Sequence, residues 1–177
     1  MTSPDLWVFG YGSLLWSPCF DPAERQLARL EGWHRSFCMW SVHYRGTPER
    51  PGLVLALDAA EGGACLGVAF RVAAPAREAA LAALRERELV SSAYREEWLP
   101  VLLPDGRRVE AVTYVVDPAH PQYAGGLSLE EQAAVIGAAA GRKGPNRDYL
   151  DNTHRHLLEL GLEDADMAWL AGALARA

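Results

Sequence analysis

Trp7-Val8-Phe9-Gly10-Tyr11-Gly12-Ser13-Leu14-Leu15-Trp16 is the stretch on which the reading of this chain turns. An apolar run feeds straight into two glycines that bracket one aromatic residue. The run predicts a buried strand over 6–10, and the glycines admit a sharp turn at backbone angles that other residues avoid. Residue types alone leave two readings of that turn. It is either the plain end of a buried strand or a loop whose successive N–H groups converge on an anion. Trp16 and the Leu14-Leu15 pair are unusual company for an exposed loop, where small polar residues dominate.

Working outward, the early part of the chain carries strand patterns and the late part helical ones. Asp21-Pro22 reads as an N-cap followed by proline at the first helical position, predicting a short helix to about Leu30. Strands are expected at 33–44, 53–58, 64–72, 98–103 and 109–116, the last two joined by Pro104-Asp105-Gly106 as a hairpin. The Ala/Leu/Glu/Arg segment 76–89 is a helix by propensity. Ser128 with Glu131 forms a capping box for a helix to about Ala140. Pro145 opens another that stops at Gly161, and a last helix covers about 163–175. Strands in sequence with few helical crossovers predict an α+β fold: a curved, mostly antiparallel sheet or small β-barrel with packed helices.

Composition narrows the class. A chain of 177 residues, half of them hydrophobic and 23% charged, is expected to form a single domain over 1–177. A net charge of −6, with no basic run among the aromatics, argues against a nucleic-acid partner or an anionic membrane surface. Three cysteines (Cys19, Cys38, Cys65) without a C-x-x-C pair predict reduced thiols rather than a disulfide framework or zinc site. No signal-peptide pattern or membrane-length apolar run is evident, so a cytoplasmic protein is expected. No obligate protein partner is indicated.

One residue of the middle helix carries a chemical signal. Leu81, Leu84 and Glu88 fall at i, i+3 and i+7, so Glu88 shares the apolar face. A carboxylate on a buried stripe is costly unless paired or protonated, and the C-terminal end of a helix disfavours an anion further. Both effects would raise its pKa toward the range useful to a general base or acid. Alternatively, the helix frays there and Glu88 points to water, or it pairs with Arg85 or a neighbouring arginine. Other motifs do not complete. Gly10-Tyr11-Gly12 lacks the third glycine of a dinucleotide fingerprint, Ser13 is not in a G-x-S-x-G elbow, and His154 and His156 are wrongly spaced for a shared metal. No metal or other cofactor is expected.

The run Phe9-Gly10-Tyr11-Gly12-Ser13-Leu14-Leu15-Trp16 resembles the signature of the ChaC-like γ-glutamylcyclotransferases. Further agreement comes from Gly32-Trp33-His34-Arg35-Ser36-Phe37, from Arg45-Gly46-Thr47 with Pro51-Gly52, and from Gly144-Pro145-Asn146 with Tyr149-Leu150. Arg87-Glu88, followed after five residues by Tyr94, matches the family's Arg-Glu pair and selects Glu88 over Glu86. Where the family usually has glycine before the tyrosine, this chain has Ser92-Ala93.

The resemblance implies a γ-glutamylcyclotransferase-like fold and cleavage of glutathione to 5-oxoproline and cysteinylglycine. In that reaction the γ-glutamyl α-amine attacks its own γ-carbonyl. Glu88 would be the general base and acid. Val8, Phe9, Gly10, Tyr11, Gly12, Ser13 and Leu14 would form the substrate-binding strand end and oxyanion turn, with Asn146 and Tyr149 helping to position the substrate. Two alternatives stay open: a cyclotransferase for other γ-glutamyl amines or peptides, and a γ-glutamyl-binding module without turnover.

Overall fold

The structure, a computed structural model, describes residues 4–90 and 92–176. These fall into two compact units: residues up to Arg35 together with Leu57–Asp117, and Ser36–Ala56 together with the chain from Pro118 onward.

The first unit holds most of a closed barrel. Strands β1 (Leu6–Gly10), β2 (Glu24–Ser41), β3 (Gly52–Val72), β4 (Tyr94–Leu102) and β5 (Arg108–Val116) close in the order β1-β3-β2-β4-β5. β1 lies antiparallel to β3, with Leu6 opposite Val72 and Gly10 opposite Val68, and parallel to β5 on its other edge. A strand held on both edges and both faces should be apolar throughout. Leu6, Val8 and Phe9 are indeed wholly buried. β4 and β5 pair from Tyr94–Val116 to Leu102–Arg108 around the expected Pro-Asp-Gly hairpin. Closure leaves no long unpaired edge. The predicted α+β class with a small barrel is therefore the observed one.

One expectation fails. Residues 21–30 do not form a helix: after Asp21-Pro22 the chain pairs through Ala23 N–H to the Arg71 carbonyl and enters β2 at Glu24. Ala28 and Leu30 are buried between exposed Leu27, Arg29 and Glu31, an alternation of two that suits a strand. Pairing with neighbouring strands outweighs the local capping signal. Gly32, at φ 85°, then breaks the alternation, and burial resumes on the other parity at Arg35, Phe37 and Met39. The strands expected separately at 53–58 and 64–72 are one strand, β3, with Gly62 at its bend. Helix α1 (Arg77–Glu88) buries Ala80, Leu81 and Leu84.

In the second unit three helices pack on one another: α2 (Leu129–Ala138), α3 (Asn146–Glu159) and α4 (Ala165–Ala175). The Ser128–Glu131 capping box forms as the sequence predicts. Two short strands, β6 (Ala140–Gly141) and β7 (Gly144–Pro145), fill the predicted break between α2 and α3. Segment 122–124 pairs with the end of β2 through Trp40 N–H to the Gln122 carbonyl and Ala124 N–H to the Cys38 carbonyl.

Candidate active site

β1 delivers the chain to the turn. A Cβ on Gly10 would lie 3.0 Å from the Phe70 ring and 3.2 Å from Leu14, so a larger residue would have to displace one of them. After Gly12 the backbone enters a single 3₁₀ turn, Ser13–Leu15, with the Leu15 N–H bonded to the Gly12 carbonyl at 2.9 Å. Leu14 and Leu15 are buried beneath it, which explains two leucines in a loop. Among the described residues nothing accepts from the N–H groups of Gly12, Ser13 or Leu14.

Tyr11 faces the barrel. Its hydroxyl donates to the Tyr114 carbonyl at 2.9 Å, and its own carbonyl accepts from Arg35 Nε at 2.7 Å. Val8 and Phe9, with no exposure, contribute through the backbone they hold rather than through their side chains.

The last turn of α1 is tied to the glycine turn. Arg87 donates from Nη2 to Ser13 Oγ at 2.6 Å and from Nη1 to the Ser17 carbonyl at 2.5 Å. Its Nε stands 3.7 Å from Glu88 Oε1. Glu88 itself keeps only 17% of its side chain exposed. Burial holds its carboxyl above the usual range, with Arg87 pulling more weakly the other way. The helix does not fray before Glu88, which lies largely covered as the apolar-face reading expects and also stands beside a neighbouring arginine, Arg87, as the other reading allows. Of the segment between Glu88 and Tyr94, Ser91 lies outside the described residues.

A second carboxylate sits nearby with a different environment. Glu96 of β4 accepts from Arg85 at 2.9 and 3.0 Å and from the Tyr114 hydroxyl at 3.1 Å. These bonds hold its carboxyl below the usual range. Burial and the two carboxylates push the Tyr114 hydroxyl well up, so it stays a neutral donor.

The remaining two predicted residues belong to the second unit. The buried Asn146 amide bonds the Leu53 backbone at both ends, Oδ1 accepting from the N–H and Nδ2 donating to the carbonyl, each at 2.8 Å. It acts like one more strand partner for β3 at the start of α3. The Tyr149 hydroxyl accepts from Leu55 N–H at 3.3 Å, with Phe37 edge-on to its ring and the Arg45 guanidinium 5.7 Å above it. Both side chains brace α3 against β3.

Sequence reading missed Arg35, Arg87 and Glu96 as working parts. For Arg35 a signal existed: it sits at an inward position of the alternation, in step with Phe37 and Met39. Among the described residues no three His, Cys, Asp or Glu side chains gather as metal ligands.

The closed barrel with its packed helices is a γ-glutamylcyclotransferase fold. It superposes with a TM-score of 0.86 on the crystal structure of the glutathione-specific γ-glutamyl cyclotransferase from yeast, covering 98% of this chain and 97% of that one at 20% identity. The chain belongs to the ChaC-like protein family, whose pattern matches residues 6–174. Its relatives include the glutathione-specific γ-glutamylcyclotransferase of Escherichia coli, 40% identical over 90% of this chain and 68% of that protein. They also include γ-glutamylcyclotransferase 2-3 of Arabidopsis thaliana, 34% identical over 94% and 86%.

Proposed function

We propose that this protein cleaves glutathione to 5-oxoproline and cysteinylglycine by intramolecular acyl transfer. The observation that carries the reading is the clamp of Arg87: one guanidinium joins the Gly-Tyr-Gly-Ser turn to the helix end that bears the half-buried Glu88. The relatives that act on glutathione supply the substrate class.

The α-ammonium of the γ-glutamyl group, with a pKa of roughly 8, must lose a proton before it can attack. Glu88 takes that proton, and burial suits it to do so by keeping it basic. The amine nitrogen then adds to the γ-carbonyl carbon. The oxygen becomes an oxyanion, and the N–H groups of the turn are its donors. When the tetrahedral centre collapses, the bond to the cysteinyl nitrogen breaks as Glu88 returns its proton to that nitrogen. The ring nitrogen gives up a second proton, relayed by Glu88 in the same way, so the lactam is neutral and cysteinylglycine leaves as its ammonium. No water is consumed and no covalent enzyme intermediate forms. Tyr11, braced on Tyr114, sets the turn rather than reaching the substrate through its hydroxyl.

The family match runs through both units, which supports reading 1–177 as one γ-glutamylcyclotransferase-like domain. No helix among the described residues is long and apolar enough to cross a membrane. A cytoplasmic location, with no nucleic-acid, membrane or protein partner required, belongs to the same proposal. Incubation of the pure protein with glutathione and with several γ-glutamyl dipeptides, scored for 5-oxoproline, is the test. Release from glutathione alone is the expected result. Equal release from the other compounds would replace it with a broader cyclotransferase, and release from none would leave a binding module.

A further inference from the structure

Arg35 is the one buried arginine in the first unit that this chemistry leaves unused. Only 3% of it is exposed. It projects from β2 and donates from Nε to the Tyr11 carbonyl at 2.7 Å and from Nη2 to the Leu66 carbonyl at 2.5 Å. The second bond anchors it to β3, so the first is made from a fixed frame. A bond from a guanidinium to a carbonyl is charge-assisted, and roughly twice as strong as a neutral one.

Among the described residues no peptide bond is cis, so the Tyr11–Gly12 peptide is trans. In a trans peptide the C=O and the next N–H point in opposite directions. Holding the Tyr11 oxygen on Arg35 therefore sets the Gly12 N–H to point away from the arginine. No described residue accepts from that N–H. Polarisation works in the same sense: a cation on the carbonyl oxygen makes the N–H across the peptide a better donor. A peptide flip would turn the carbonyl away from Arg35 and take the acceptor from its buried Nε.

We propose that Arg35 is a positioning residue that locks the Tyr11–Gly12 peptide in the orientation that presents the Gly12 N–H to the reaction oxyanion. This rests on the cyclotransferase reading above. Arg35 touches the peptide, not the substrate, so its contribution is made to the transition state and not to ground-state binding.

The test compares wild type with Arg35→Met and Arg35→Lys on the substrate that wild type turns over, together with the Gly12 amide resonance in each protein. In folded Arg35→Met, kcat is expected to fall about 10- to 100-fold, below the loss for deleting an oxyanion donor outright. KM should stay within about twofold, and the Gly12 proton should shift upfield as the polarising cation is lost. Arg35→Lys keeps the charge and one donor, and should recover much of the loss. If the methionine variant does not fold, the lysine variant decides, since it must then show a smaller kcat loss with a displaced Gly12 resonance. A folded variant with wild-type kcat, an unmoved Gly12 resonance, or a loss confined to KM overturns the proposal. A wild type that releases no 5-oxoproline from any γ-glutamyl compound fails the parent reading instead. The catalytic role given to Arg35 falls with it, whatever the Gly12 resonance does.

Discussion

Glu88 at the end of α1 and Glu96 on β4 form a natural comparison. The two side chains are about equally exposed, 17% and 16%, and each has an arginine beside it, yet their acidities move in opposite directions. The difference lies in what each arginine does. Arg85 turns its fork onto Glu96 in two bonds, and Tyr114 adds a third donor. Arg87 gives its terminal nitrogens to Ser13 and Ser17 and leaves Glu88 a contact of 3.7 Å. Glu96 is thus a satisfied anion, a structural joint between α1, β4 and β5. Glu88 has the desolvation without the compensation, which keeps a base reactive.

The sharpest way to break this comparison is to neutralise each carboxylate in turn. Glu88→Gln should retain the fold and lower kcat at least about a hundredfold, while Glu96→Gln should keep activity within about tenfold. Exchanged phenotypes in a 5-oxoproline assay would mean the roles are reversed. Stability should separate the pair with opposite signs. Glu96 is depressed in the native state, so its stabilising bonds are present above the unfolded-state pKa and lost as pH falls through the native value. Glu96→Gln should therefore melt lower at pH 7, by about 1–2 kcal/mol of stability, with the gap closing below about pH 4. Glu88 is raised, so the native state holds its proton longer and ionising it opposes folding as pH rises. Glu88→Gln should melt no lower than wild type at pH 7, with any gain vanishing below about pH 4. Calorimetry across that range checks both signs.

A smaller effect tests the clamp. Arg87→Met removes the one charge that holds Glu88 down, leaving burial unopposed and the buried Tyr114 as its other titratable neighbour. The base then ionises only at higher pH, so the acid limb of the kcat/KM profile should move upward. With the turn also released from α1, kcat should fall about tenfold, the loss of about one charge-assisted hydrogen bond. An unmoved acid limb would show that Arg87 only ties the turn and does not set the base.

The comparison also marks what the sequence makes legible. Helical periodicity is local, so residues at i, i+3 and i+7 could place Glu88 on the apolar face, while its choice as the candidate base came from the family's Arg-Glu pair. The Gly-Tyr-Gly-Ser turn could be found because an apolar strand ending on glycines is contiguous in the chain. Glu96 and Arg35 act through partners that only the barrel register supplies, Tyr114 across the β4–β5 pair and Tyr11 beyond the end of β1. The helix wrongly expected at 21–30 fails for the same reason, since its capping signal was local and its competing strand partners distant. Asn146 and Tyr149 carry both kinds of information. Their place in a family pattern implies substrate contact, and their side chains also bond the Leu53 and Leu55 backbone. A residue type suited to binding a substrate is equally suited to completing a strand.

The smallest effect is expected at Ser13, and it decides between two kinds of chemistry. Its Oγ accepts from Arg87 at 2.6 Å. A nucleophilic serine needs a base within reach to take its proton, and a guanidinium cannot be that base because it stays protonated at any working pH. Under the proposed reaction Ser13 holds the clamp and does not attack the substrate. Ser13→Ala should cost what one hydrogen bond contributes, of order 1 kcal/mol or about fivefold in kcat. The main-chain donors of the turn remain in that variant, so the chemistry should continue at the reduced rate. A serine-directed phosphonate should leave the wild type unlabelled by mass spectrometry. Covalent labelling at Ser13, together with a dead alanine variant, would replace intramolecular cyclisation with an acyl-enzyme route. Glu88 would then have to serve the serine rather than the substrate amine, and its contrast with Glu96 would need a different explanation.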